Sequence, residues 1–195
     1  MEATMTPQEY KSRSDRSYKL LLLFAMISMT MMFAGLTSAF IVSKSRADWL
    51  KDFQLPVAFY FSTAAIIGCS ITFHLAKKAI QKDNQKATTT FLLSTLALGI
   101  LFIILQFVGF GQVVANGYYF TGSESSITTT FLYIVTLVHL LHLAGGIISL
   151  LIIIYNHFKQ KYNSTQTIGI ELGVIYWHFL DLLWVYLFLF LYFFK

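Results

Sequence analysis

Five residues set groups that could ligate a metal or move a proton inside otherwise apolar sequence: His139, His142, Glu171, His178 and Asp181. On a helix, at 100° per residue, Glu171 and His178 lie about 20° apart and Asp181 within roughly 80° of both. His139 and His142 share one face of the preceding apolar segment, with Gly145 and Gly146 one turn later, where another backbone could come close. Histidines on facing helices can ligate haem iron or another metal, and these three supply enough nitrogens. They can equally hydrogen-bond across helices. For Glu171, His178 and Asp181 the options are a proton path, a structural polar network, with His178 and Asp181 paired at i, i+3 or bonded to the neighbouring helix, or a lipid-headgroup contact. Glu171 also suits the amino end of a helix, which favours a carboxylate.

These groups need elements to hold them, and the composition says which kind. The chain has 195 residues, 56% hydrophobic and 12% charged, with a mean hydropathy of +0.65. Its apolar residues fall in blocks long enough to cross roughly 30 Å of hydrocarbon. Ionisable groups at membrane depth cost several kcal/mol each unless they turn to a protein interior, about 3 kcal/mol by insertion scales. The expected fold is therefore an all-α integral membrane bundle of five helices, with approximate spans 20–42, 57–76, 88–114, 127–155 and 169–193. Residues 1–19 are expected to form a polar cytoplasmic segment and residues 20–195 a single five-helix domain.

The first block is too long for the apolar core of a cleavable signal peptide. Its methionines from Met26 to Met32 suit soft packing, and Ala34, Gly35, Ser38 and Ala39 form a small-residue face. Pro56 is a start signal for the second helix. Gly109 and Gly111 interrupt the third near its end, and Tyr118, Tyr119 and Phe120 suit the membrane interface. The single cysteine, Cys69, excludes a disulfide within the chain and a Cys-based metal site, and reads as a small buried hydrophobe.

Five spans put the two ends on opposite sides. Lys and Arg number four, four and two on the amino-end side, and three, none and one on the other. That excess places the amino terminus in the cytoplasm and the carboxyl terminus outside. The net charge of +5 follows from this asymmetry, and no basic, aromatic-interleaved soluble segment points to nucleic acid. A polar chain across the whole bilayer is missing, because the first three helices add only Gln106 and His74. Nor is there a nucleophile beside a base or a phosphate-binding glycine loop, so the chain is expected to hold no catalytic centre of its own. A transporter would show matching halves, and five spans do not divide so.

YWHFLDLLWVYLF, Tyr176 to Phe188, resembles the last-helix signature of subunit III of the haem-copper cytochrome c oxidases. Four more pieces follow that family's order: FAGLTSAF in helix one, SITFHLAKKAIQ leaving helix two, Leu105-Gln106 in helix three and HLLHLAGG in helix four. GIELGVIYWHFLD keeps the Glu seven residues before the His. The resemblance covers nearly all of the chain from Leu20 onward and corresponds to a five-helix bacterial form.

The resemblance implies a non-catalytic subunit of an aa3-type cytochrome c oxidase in the bacterial cytoplasmic (inner) membrane, with no cofactor and no metal in this chain. Haem and copper would belong to subunits I and II. This chain would pack on subunit I, hold phospholipid in a cleft, support proton uptake and active-site stability, and join any larger respiratory supercomplex with its partners. His139, His142, Glu171, His178, Asp181, Trp177 and Gln106 would form the structural polar network or the lipid cleft. Two departures stand out: Met29 replaces a carboxylate carried by many members, and Gly109 and Gln112 stand where a Glu pair often follows the helix-three Gln. Subunit III of a quinol oxidase is the alternative the resemblance leaves open, and a haem-binding membrane anchor is the remote one left by the histidines.

Overall fold

In the computed structural model, which describes residues 6–50, 54–122 and 125–194, five long helices follow one another: α1 (Pro7–Val42), α2 (Val57–Gln81), α3 (Gln85–Ala115), α4 (Ile127–Phe158) and α5 (Ile168–Phe194). All five are long and apolar enough to cross a membrane. The charges Glu2, Lys51, Asp52, Glu124 and Lys195, used in reading the loops and termini, lie outside the described residues.

Each helix end has a local cause. Thr6 and Glu9 form a capping box, each side chain bonding the other's backbone N–H, so α1 begins at Pro7, well before Leu20. From Pro7 onward, the polar stretch before Leu20 is thus the first turns of α1. At 1.5 Å per residue its 36 residues reach about 54 Å, beyond the hydrocarbon thickness. Pro56 is the N-cap of α2, which continues past Ala76 through Lys77 and Lys78 to Gln81. It stops where Asp83 takes a positive φ of 52°. Asn84 then caps α3 by accepting the Ala87 N–H, and Ser126 caps α4 in a box with Thr129.

Gly109 and Gly111 do not break α3, which runs on to Ala115. Gly109 is needed for packing instead: a Cβ there would come within 2.7 Å of the Phe59 ring. α2 and α3 form a closely packed hairpin, and α5 runs down the middle of the molecule. Of the apolar stretch of α5, 56% is buried, against 11% of that of α1, so α5 is the axis and α1 the outrigger.

The face of α1 that packs is Phe33, Thr37 and Phe40, not the small-residue face. Ala34, Gly35, Ser38 and Ala39 are exposed, and a Cβ at Gly35 would meet nothing within 4 Å. Bulk explains the choice. Phe40 fits edge-on against Trp49, Phe131 and Phe190, burying far more area than four small residues could. Cys69 is fully buried, as its reading as a small hydrophobe requires.

Candidate functional site: the polar interior of the bundle

The polar groups inside the spans meet mostly in pairs across helices. Ser62 on α2 accepts from Gln106 Nε2 on α3 at 3.0 Å, and Thr72 bonds Thr95 at 2.8 Å. Trp184 donates its indole N–H to Thr63 at 3.0 Å, and Thr37 on α1 bonds Tyr186 at 3.1 Å. Thr89 bonds His157 at 2.8 Å, joining α3 to α4. Away from water each such bond spares two groups an unmet donor or acceptor, and bonds of this kind contribute on average about 0.6 kcal/mol in membranes. Sequence reasoning singled out none of these Ser and Thr residues. The only signal for them is their recurrence inside otherwise apolar spans.

Glu171 lies in the first turn of α5 and forms an ion pair with Lys19 of α1 at 3.0 Å, while Thr167 donates to its other oxygen at 3.0 Å. The expected His178–Asp181 bond is not formed. His178 Nδ1 meets the Ser70 hydroxyl of α2, and its ring lies 6.0 Å from that of His74. Asp181, 5% exposed, has Ser70 beside it. Among the described residues neither of its oxygens has a partner in bonding geometry. Residues three apart on a helix share a face, but α2 packs into the space between these two and supplies a nearer hydroxyl.

Among the described residues neither ring nitrogen of His139 bonds to another helix, and the His142 Nδ1 turns to its own. His139 is fully buried with both ring nitrogens unpartnered among the described residues, walled in by Phe33, Phe102 and Trp184. Its Trp184 neighbour has its centroid 5.2 Å away. The His142 Nδ1–H donates to Val138 O of its own helix at 2.7 Å, and its backbone carbonyl accepts from Tyr176 of α5 at 3.0 Å. Among the described residues no three His, Cys, Asp or Glu side chains are grouped to hold a metal ion.

The Gly145-Gly146 pair admits side chains and not a backbone. A Cβ at Gly146 would stand 3.0 Å from Leu180 and 3.4 Å from Trp177. Trp177, 1% exposed, also abuts Gly99 of α3, whose Cβ would lie 3.3 Å from the indole. The indole thus fills a slot made by two glycines. Near the end of α3, Gln112 accepts the Ala58 N–H at 3.2 Å and ties it to the first turn of α2.

Between α1, α4 and α5 runs a groove of about 900 Å³, lined chiefly by apolar residues including Leu22, Met29, Ile148, Ile152 and Leu172. At its amino-end mouth lies a second opening of about 450 Å³ among Lys11, Asp15, Lys19, Lys161 and Glu171. An apolar trough under a charged mouth matches the two ends of an amphiphile. Between these helices and at the turns, polar loops knit the same end of the bundle, where Ser164 N–H donates to Asp83 at 2.8 Å and Gln85 donates to Tyr162 O at 3.2 Å.

Comparison with known proteins agrees with this arrangement. The whole chain, residues 1–195, matches the family described as Cytochrome c oxidase subunit III. It is 31% identical over 142 residues to Cytochrome c oxidase subunit 3 of Spodoptera frugiperda, covering 73% of this chain and 90% of that one. Against the protein of the same name from Thermostichus vulcanus, identity is 28% over 175 residues, covering 88% and 84%. The Drosophila melanogaster protein is 30% identical over 142 residues, and the match spans about half of it, 51%. With its five membrane-crossing helices, the chain is a multi-pass membrane protein that belongs to the cytochrome c oxidase subunit III family.

Proposed function

We propose that this chain is the non-catalytic subunit III of an aa3-type cytochrome c oxidase in a bacterial cytoplasmic membrane. The observation that carries the reading is the family match over every residue of the chain. In this role it packs on subunit I, which with subunit II holds the haem and copper, holds phospholipid in the α1–α4–α5 groove, and supports proton uptake and the stability of the oxidase active site. Gln106 and His178, bonded to Ser62 and Ser70 of α2, serve as the polar ties that fix the helices in register, Trp177 does so by its packing between glycines, and His139 and Asp181 complete the buried polar interior. His142 and Glu171 add to it at the bundle's edge.

The open small-residue face of α1 supports the packing role, because Ala34, Gly35, Ser38 and Ala39 let a neighbouring helix approach closely. Ten Lys and Arg on the amino-end side against four on the other support a cytoplasmic amino terminus. Copurification in mild detergent tests the reading. A haem-bearing large subunit should come with this chain, and a chain recovered alone in full yield would refute the role. A copper centre in the accompanying subunit II assigns cytochrome c as the donor, whereas its absence there assigns a quinol.

A further inference from the structure

A small niche on the outer face of α2 and α5 is separate from the α1–α4–α5 groove. It measures about 270 Å³ and is lined by Ser70, Ile71, His74, Leu75 and His178. His74 is exposed and His178 partly so, at membrane depth, where an uncompensated polar group is costly. Ser70 and His178 Nδ1 bond each other, which leaves the His74 ring and the second nitrogen of His178 facing acyl chains, where a polar occupant would satisfy them.

The surroundings say which kind. Ser70, His74 and Lys77 follow at helical spacing and make one ridge of α2. Ile67, Ile71 and Leu75, all exposed, make the ridge beside it. Lys77 is close enough to act electrostatically on His178, and Lys78 is exposed one residue on. The nearby carboxylate of Glu171 is already paired with Lys19. This balance favours an anion over a cation. Depth favours a lipid. His74 lies three residues, about 5 Å, inside Lys77 at the basic end of α2, the depth of a headgroup, and His178 is ten residues, about 15 Å, from the start of α5.

We infer that the Ser70–His74–His178 niche binds the headgroup of an anionic phospholipid. The phosphate sits between Lys77 and His74, the glycerol ester region reaches His178 and Ser70, and an acyl chain lies along Ile71 and Ile67. This deepens the lipid-holding part of the proposed function, at a place other than the groove. Lipid headgroups supply the phosphate, because the apolar ridge has no use for the free ion.

The test uses the full chain in nanodiscs of phosphatidylcholine with a minor share of phosphatidylglycerol, read by native mass spectrometry. The wild-type chain should retain a phosphatidylglycerol. His74→Leu and Lys77→Gln should each lower its affinity about tenfold, the loss expected for one charge-assisted hydrogen bond. Lys77→Gln, near the end of α2, keeps the test valid if His74→Leu fails to fold. Equal retention in wild type and variants would overturn the inference. So would displacement of the lipid by inorganic phosphate, or saturable Zn²⁺ binding that the same substitutions abolish. The outcome is independent of oxidase copurification: loss of the lipid effect in a chain that copurifies sinks only this site, and lipid retention without oxidase partners sinks only the subunit role.

Discussion

The slot that holds Trp177 gives the sharpest test of the packing. A Cβ at Gly99 would lie 3.1 Å from Ile147 and 3.3 Å from the Trp177 ring, already tighter than ordinary contact. Gly99→Leu sends three further carbons into the volume the indole occupies. The flexible end of Ile147 can yield, but the indole, fixed also by Gly146 and by Phe73 at 6.0 Å, cannot. Overpacking of this sort costs about 1–3 kcal/mol. Trp177→Ala alone leaves a cavity and costs about 3–5 kcal/mol. Combined, the leucine occupies part of the emptied slot, so the double variant should be more stable than the sum of the single effects predicts, by about 2 kcal/mol. The assay is thermal unfolding of the detergent-solubilised chain followed by tryptophan fluorescence and circular dichroism, with all four members of the cycle measured together. Strict additivity would refute the claim that Gly99 exists to seat Trp177.

Three further outcomes follow from the same structure. Asp181→Leu removes a buried carboxyl whose oxygens have no bonding partner among the described residues, so the isolated chain should hold or gain stability, by about 1–3 kcal/mol. A marked loss in the same melt would show that the carboxyl is held after all. Cys69, fully buried with its thiol 3.6 Å from Thr95 O, should resist a maleimide in the folded chain and react after denaturation. Labelling at native temperature would contradict its position between α2 and α3. In the loop after α1, the Arg46 guanidinium 3.0 Å away holds the Asp48 carboxyl below its usual value of 3.8. A depressed carboxylate lends stability above that value and loses it as pH falls through the lowered one. The acid limb of the melting profile should therefore be shallower in Asp48→Asn, and an unchanged limb would remove the pair from the account.

Much of the architecture is legible from block lengths and a few end signals. Five apolar runs and Pro56 before α2 mark the helices because hydrocarbon thickness and the chemistry of a helix start act locally. The start of α1 is not legible from the apolar run, because polarity marks where hydrocarbon ends and a capping box at Thr6 and Glu9 carries the helix beyond it. Partner choice was less legible. Periodicity places His178 and Asp181 on one side of α5 but cannot say that Ser70 of α2 arrives between them. It likewise places Ala34 and Gly35 together without revealing that Phe33 and Phe40 win the contact with α4 and α5. Which face turns inward depends on the shapes of neighbours distant in sequence, and that competition is decided by buried area.

The central claim is that this polypeptide lends packing and lipid contact to an oxidase whose redox chemistry resides in other chains. The most direct measurement is the visible spectrum and metal content of two preparations, the chain purified alone and the complex captured through a tag on it. The account predicts a colourless chain free of iron and copper, and a captured complex bearing a Soret band and oxidase activity. A Soret band on the lone chain that disappears in His139→Ala or His178→Ala would contradict it.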